Sequence, residues 1–249
     1  MAAKQNIYLS PEEWIVHWEK IYEKYGSVHI EITGGEPFIY PNFIKLIKLL
    51  SIIHTLKITT NMSGDIETFT KEINPERVNL DLNFHPLFID LDTITRKALI
   101  LKKAGFKAGI CYLAYPPQMQ MGKIDYLSEH FKDVGIGFAL AAFWGEYNGI
   151  RYPQGYTEEE KEFIKPYLGD INRIIYHLEG GSPKGKLCNA GYKYAGIHAN
   201  GDVVRCGPLA DKIIGNILND NFNLLDKPMP CEANACPCNE YDNIVKKDQ

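Results

Sequence analysis

The chain has 249 residues, 45% of them hydrophobic and 23% charged, and its 27 Lys and Arg against 31 Asp and Glu give a formal net charge of −4. This composition excludes a disordered chain, and the slightly acidic balance disfavours a protein that binds nucleic acid. The sequence contains no apolar run of about 18 residues and its N-terminus is polar. We therefore expect no membrane span, no secretory signal and a cytoplasmic location.

The predicted elements alternate regularly over the first part of the chain. Ser10, Pro11 and Glu13 form a helix-start signature, and Gly26 ends that helix. Strands are then predicted at 28–33, 56–60, 77–84, 106–114 and 136–143. Helices are predicted between them at 41–53, 65–72, 91–104 and 124–134. This alternation predicts βαβ units in a parallel sheet, either open and doubly wound or closed into a barrel.

The array begins with a helix, although a crossover helix normally connects two parallel strands. Residues 1–9 are too short and polar to supply a core strand. We therefore expect a missing first strand, with an open sheet edge at 28–33, or a chain that lacks its natural beginning.

After Phe143 the composition changes. Residues 144–156 are rich in Gly and aromatic side chains. They either touch a substrate at the mouth of the sheet or form a connector that packs on it. Further helices are predicted from Thr157 and at 170–178, and a linker at 180–186.

Five of the six cysteines lie in the last quarter of the chain, whereas Cys111 lies in a predicted strand and is expected to be a small core residue. Because disulfides are rare in a reducing cytoplasm, such a group indicates metal ligation or catalysis. Asn200-Gly201 predicts a two-residue hairpin turn with both residues at positive φ, which would bring Cys188 and Cys206 together. These thiols could enclose a metal ion or an iron–sulfur cluster, and the alternative is a set of buried cysteines.

The segment Thr33-Gly34-Gly35-Glu36-Pro37 follows a predicted strand and precedes a helix. Parallel α/β folds build their sites at this end of the strands, and paired glycines let a ligand approach the backbone closely. Glu36 could accept hydrogen bonds from an ammonium group, although a structural turn is the alternative. Asn61 and Asn83 end the next two strands. His85 could face the same edge or belong to a loop.

At these motifs the chain resembles the radical S-adenosylmethionine (radical SAM) enzymes. Cys188-x12-Gly201-x4-Cys206 and the later Cys231-x4-Cys236-x-Cys238 resemble their SPASM and twitch domains, which carry auxiliary 4Fe-4S clusters. Gly34 to Pro37 resembles their GGEP motif, which binds the amino group of SAM. The residues that the resemblance assigns to SAM are Thr33, Gly34, Gly35, Glu36, Pro37, Asn61 and Asn83. It assigns five cysteines to one auxiliary cluster, which needs only four of them as ligands. These cysteines are Cys188, Cys206, Cys231, Cys236 and Cys238.

The resemblance covers roughly residues 10 to 240 and implies an α/β fold. That fold is a partial (β/α)6 TIM-like barrel of parallel strands, with the first strand missing, over 1–179. A small Cys-rich β-hairpin domain of the SPASM or twitch type follows at 187–249.

One part of the family pattern is absent, because radical SAM enzymes hold their catalytic cluster with Cys-x3-Cys-x2-Cys upstream of GGEP. Here no cysteine precedes Cys111. We therefore assign no catalytic residue and expect that the chain lacks its first βα segment. The resemblance implies that the complete form makes a 5′-deoxyadenosyl radical and abstracts hydrogen from a peptide or small molecule. A reductant such as flavodoxin or ferredoxin would supply the electron. The alternatives are a non-catalytic iron–sulfur or zinc protein and an inactive gene fragment.

Overall fold

The computed structural model describes residues 8–237 and 239–245, without the side chains of 239 and 240. The described chain forms two compact units, one over residues 8–141 and one from residue 142 onward. The division into 1–179 and 187–249 rests on the family resemblance and stays a prediction. Residues 1–7, which enter the prediction of a missing strand, lie outside the described residues.

The first unit contains one sheet of five parallel strands in the order β1-β2-β3-β4-β5. Helices alternate with these strands, so the predicted α/β partial barrel is confirmed. The strands are β1 (His29–Ile32), β2 (Thr55–Thr60), β3 (Val78–Phe84), β4 (Lys107–Ala114) and β5 (Gly137–Ala142). The helices are α1 (Pro11–Tyr25), α2 (Phe43–Ile53), α3 (Ile66–Glu72), α4 (Leu91–Lys103) and α5 (Met121–Asp133).

Helix α1 has the predicted boundaries because its first turn is capped in both directions. The Glu13 backbone N–H donates to Ser10 Oγ (3.2 Å), and the Ser10 N–H donates to the Glu13 carboxylate (2.7 Å). Gly26 ends the helix with φ 76°, in the region that favours glycine. Within the described residues β1 pairs with β2 alone and forms one edge of the sheet.

The two faces of the sheet differ in polarity. Leu56 and Ile58 of β2 and Leu80 of β3 are fully buried on one face. The residues that alternate with them point to the other face, where Lys57 Nζ lies 2.8 Å from Asp81 Oδ2. A parallel sheet covered on both faces would be apolar throughout. The polar second face therefore suits a ligand-binding surface better than a packed core.

The second unit consists of short elements. Its helices are α6 (Glu158–Leu168) and α7 (Ile171–Arg173), and α7 continues as a π-helical turn (Ile174–Leu178). Its strands are β6 (Gly145–Tyr147), β7 (Ile150–Tyr152), β8 (Leu187–Cys188), β9 (Gly196–Ile197), β10 (Asp202–Val204), β11 (Ile213–Asn216) and β12 (Met229–Pro230). They form a three-stranded sheet in the order β11-β10-β9 and the pairs β12-β8 and β6-β7.

The turn between β9 and β10 differs from the prediction. Gly201 has φ 83°, but Asn200 lies outside the positive-φ region. The Gly201 N–H donates to the His198 carbonyl (2.8 Å), so the loop is longer than two residues and has Gly201 at its left-handed position. A second hairpin, β6–β7, was not predicted. Its turn has the same Asn-Gly signal, with Asn148 at φ 50° and Gly149 at φ 75°.

None of the helices in the described parts of the chain is long and apolar enough to cross a membrane.

Candidate functional site

The loops that follow β1 and β2 are joined by the carboxylate of Glu36. Its Oε1 accepts hydrogen bonds from the Phe38 backbone N–H (3.1 Å) and from the Thr60 hydroxyl (2.7 Å). Its Oε2 accepts one from the Asn61 backbone N–H (2.7 Å). Thr60 is only 1% exposed, and its Oγ1 also accepts from the Met62 N–H (2.9 Å). An ionised carboxylate offers about four acceptor sites, so three of them are used and one remains.

The two glycines before Glu36 leave an open stretch of backbone. Gly34 and Gly35 have φ of 95° and 50°, and an added Cβ at either position would meet no atom within 4 Å. Both residues and Thr33 are exposed, whereas Pro37 is buried at the start of a 3-10 turn (Pro37–Ile39). The backbone at Gly34 and Gly35 is therefore held at one end by Glu36 and is open to a ligand.

A second contact fixes the same two loops. The Phe38 ring packs so closely on Gly64 that a Cβ there would lie 2.1 Å from Cδ1 of the ring. The ring also contacts Phe43 and Phe69, with centroid separations of 5.1 and 5.5 Å. The loop after β2 thus needs glycine at position 64, a requirement that sequence reasoning missed because it depends on a neighbouring loop.

Asn61 and Asn83 lie at the carboxyl ends of β2 and β3. The side-chain oxygen of Asn61 accepts from the Ser63 N–H (2.9 Å), and Asn61 is exposed. Asn83 is half-buried on the polar face and is in register with Cys111 of β4. Cys111 is therefore on the polar face and not among the core residues, contrary to the prediction. Its assignment to the core overlooked the alternation along β4, in which Ile110, Tyr112 and Ala114 are the buried residues.

His85 follows β3 directly, and its ring meets Phe88 edge-on at a centroid separation of 6.4 Å. Burial lowers the pKa of His85 below its ordinary range. The imidazole is therefore neutral at pH 7 and does not repel a cationic ligand.

Three of the C-terminal cysteines share one buried cluster. Cys188, Cys206 and Cys231 pack there with Ala190, Leu209 and Ala233. Two short strands bring Cys188 and Cys231 together, because Cys188 of β8 pairs with Met229 of β12, and Cys231 directly follows β12.

Hydrogen bonds reinforce this arrangement. The Cys231 N–H donates to the Lys186 carbonyl (2.8 Å), and the Ala190 N–H donates to Cys188 Sγ (3.5 Å).

A second cluster holds one further cysteine. Cys236 packs with Tyr176 and Tyr241, and Cys238 lies outside the described residues. Among residues 8–237 and 239–245, no three His, Cys, Asp or Glu side chains are arranged to hold a metal ion. The assignment of all five cysteines to a cluster therefore stays a prediction.

The predicted substrate segment 144–156 has its own anchors within the second unit. The Phe143 N–H donates to Tyr156 Oη (2.8 Å), and Trp144 Nε1 donates to the His177 carbonyl (2.9 Å). Burial raises the pKa of Tyr156 far above its ordinary value, so the phenol is neutral at physiological pH. Arg151 is exposed on β7. A contact between this segment and a substrate stays a prediction.

No protein-family model matches the sequence, and a search of curated proteins finds no match. Solved structures of anSMEcpe, an anaerobic sulfatase-maturating enzyme, are similar in fold. The chain shares their fold. Histidine-tagged anSMEcpe with bound AdoMet superposes with a TM-score of 0.63 at 17% identity, covering 88% of this chain and 69% of that one. Native anSMEcpe with bound AdoMet and Kp18Cys peptide gives 0.60 at 16% identity, covering 85% and 69%.

Proposed function

We propose that this chain is a radical SAM oxidoreductase-like protein that binds S-adenosylmethionine at the carboxyl ends of β1, β2 and β3. The observation that carries the proposal is the open Gly34-Gly35 backbone, which Glu36 ties to the end of β2. The fold likeness to proteins solved with AdoMet supports it.

Each residue of the proposed site has a chemical task. The backbone of Gly34 and Gly35 approaches the amino-acid end of SAM, and the remaining acceptor site of Glu36 takes a hydrogen bond from its ammonium group. Asn61 and Asn83 offer side-chain amides to the ribose and to the polar remainder of the ligand. Thr33 begins the loop after β1, and the buried Pro37 ends it at the start of the 3-10 turn.

The second unit is proposed to hold an auxiliary 4Fe-4S cluster. The donor chemistry fits the group, because Cys188, Cys206 and Cys231 are buried thiols in one cluster and thiolate sulfur is the ligand that iron–sulfur clusters require. Cys236 or Cys238 would supply the fourth ligand.

Radical chemistry is proposed only for a form that also carries the cysteine triad of the family, since no cysteine precedes Cys111 here. In such a form the catalytic cluster, reduced by a flavodoxin or ferredoxin, would supply the electron for cleavage of SAM to methionine and a 5′-deoxyadenosyl radical. A peptide is the proposed substrate, because two of the similar structures contain anSMEcpe with bound peptides. A small molecule is the alternative.

Isothermal titration with SAM tests the binding role. The variant Gly35→Ala places a methyl group in the open space of the site, and Gly149→Ala is its matched control, because Gly149 also has positive φ and open space. We expect the wild-type protein and Gly149→Ala to bind SAM and Gly35→Ala to bind it at least about tenfold more weakly. Equal binding by all three proteins would contradict the assignment.

Metal analysis after anaerobic reconstitution tests the second unit. Iron together with acid-labile sulfide supports the auxiliary cluster. Zinc without sulfide would contradict the auxiliary cluster and favour a non-catalytic zinc protein, because four cysteines are enough to bind zinc.

A further inference from the structure

Arg205 has an unusual environment for an arginine. Its side chain is only 8% exposed, although arginine is almost never this buried unless its charge is compensated. Its Nε donates to the Ala190 carbonyl (3.2 Å), and its Nη1 lies 3.5 Å from Glu232 Oε1. Its Nη2 is buried and has no hydrogen-bond partner in the described part of the chain. A buried charged donor without an acceptor is costly, so a further acceptor is expected there.

The partners of Arg205 lie beside the clustered cysteines. Ala190 comes two residues after Cys188, and Glu232 directly follows Cys231. Arg205 itself directly precedes Cys206. One guanidinium group therefore connects the three segments that carry the three clustered thiols.

Glu232 does not balance the charge of Arg205 by itself. Its side chain is 54% exposed, and its Oε2 lies 2.9 Å from Lys212 Nζ, so one carboxylate is shared between two cations. Exposed ion pairs of this kind contribute little stabilisation. The guanidinium of Arg205 is thus only partly compensated by Glu232, beside thiols that would be anionic in any metal-bound state.

Building on the proposed metal site, we infer that Arg205 is a positioning residue for Cys188, Cys206 and Cys231, and that its unused Nη2 donor and its charge serve the anionic metal–thiolate group bound there. Hydrogen bonds and charges near the sulfur atoms change the stability and the reduction potential of such groups. The arginine side chain suits this task because its planar fork can donate in several directions at once.

Two variants test this inference. Arg205→Met removes the charge and every hydrogen-bond donor, whereas Arg205→Lys keeps the charge but loses the planar guanidinium group. Lys227→Met is the matched control, because Lys227 is an exposed cation in the same unit. Each full chain is reconstituted anaerobically with ferrous iron and sulfide. The measurements are iron and sulfide content, the rate of iron loss to a chelator, the midpoint potential in a dithionite titration, and thermal unfolding before and after loading.

We expect Arg205→Met to lose iron about tenfold faster than the wild-type protein and to shift the midpoint potential to a more negative value. The shift has this sign because a nearby positive charge favours the reduced, more negative cluster. Arg205→Lys should lose iron faster but keep a potential close to that of the wild-type protein, and Lys227→Met should change neither quantity.

A purely structural role would lower the unfolding temperature of the unloaded and loaded variants equally and would leave the potential unchanged. That outcome overturns the inference, as does an Arg205→Met protein that keeps its iron as the wild-type protein does. If Arg205→Met does not fold, the iron-loss rate of Arg205→Lys decides, and a rate equal to that of the wild-type protein overturns the inference. A wild-type chain that takes up neither iron nor sulfide contradicts the proposed cluster itself, which is a different failure.

Discussion

Replacing Glu36 by Gln should weaken the connection between the loops after β1 and β2. Gln has the same shape but only one oxygen, whereas Glu36 accepts on both oxygens, from Phe38 and Thr60 on one and from Asn61 on the other. Whichever way the amide is turned, at least one backbone N–H then faces an NH₂ group instead of an acceptor.

The expected loss of stability follows from the hydrogen bond that Glu36→Gln removes. A hydrogen bond to a charged group contributes about 1.5–3 kcal/mol, and one such bond is lost. Because Glu36 is half-buried and water can replace part of that bond, we expect the lower part of this range. Since about 1 kcal/mol shifts the melting temperature of a chain of this size by roughly 2–4 °C, the melting temperature should fall by about 3–6 °C.

The assay is urea and thermal unfolding followed by circular dichroism. Glu23→Gln is the control, because Glu23 is exposed on α1 and its change should stay within about 0.5 kcal/mol. Thr60→Val removes the hydroxyl that Glu36 accepts from, so the double variant should cost less than the sum of the two single ones. Additive costs, or a Glu36→Gln protein as stable as the wild type, would refute this account of the loop.

Two further predictions concern stability. The Val28 N–H donates to His54 Nδ1 (3.1 Å), so Nε2 carries the proton that bonds the Trp18 carbonyl (3.2 Å). Burial lowers the pKa of His54 below its ordinary value of 6.5. The neutral His54 therefore stabilises the protein fully above about pH 6.5, and this stabilisation is lost as pH falls through the lower folded-state pKa. His54→Asn should thus lower the free energy of unfolding less at acidic than at neutral pH, as measured by urea unfolding. Gly201→Ala should destabilise the protein by about 2 kcal/mol or more, because the new Cβ would lie 2.6 Å from Leu218 Cγ at φ 83°, whereas Gly149→Ala should cost only the backbone strain; equal melting temperatures would contradict this.

Local signals predicted the first unit well. The Ser10 capping box, the Gly26 stop and the alternation of elements depend on residues near in sequence, and the structure has these elements within a few residues of the predicted boundaries. The confirmed sheet follows from that alternation, since parallel strands with short crossovers have few other arrangements.

The features that sequence reasoning missed depend on contacts between distant segments. The carboxylate of Glu36 is bound by Thr60 at the end of β2 and by Asn61 directly after it. The arginine at position 205 is buried only because three segments converge around it. The hairpin at Asn148-Gly149 is different, because its turn signal was present in the sequence and was overlooked among the aromatic residues around it.

The most direct test of the central claim is an NMR titration of the ¹⁵N-labelled protein with SAM, following the backbone amides. We expect the largest shift changes on Gly34, Gly35, Asn61 and Asn83, and we expect them to be lost in Gly35→Ala but kept in Gly149→Ala. Shift changes confined to residues beyond 142, or none at saturating SAM, would contradict a SAM site at the carboxyl ends of β1, β2 and β3.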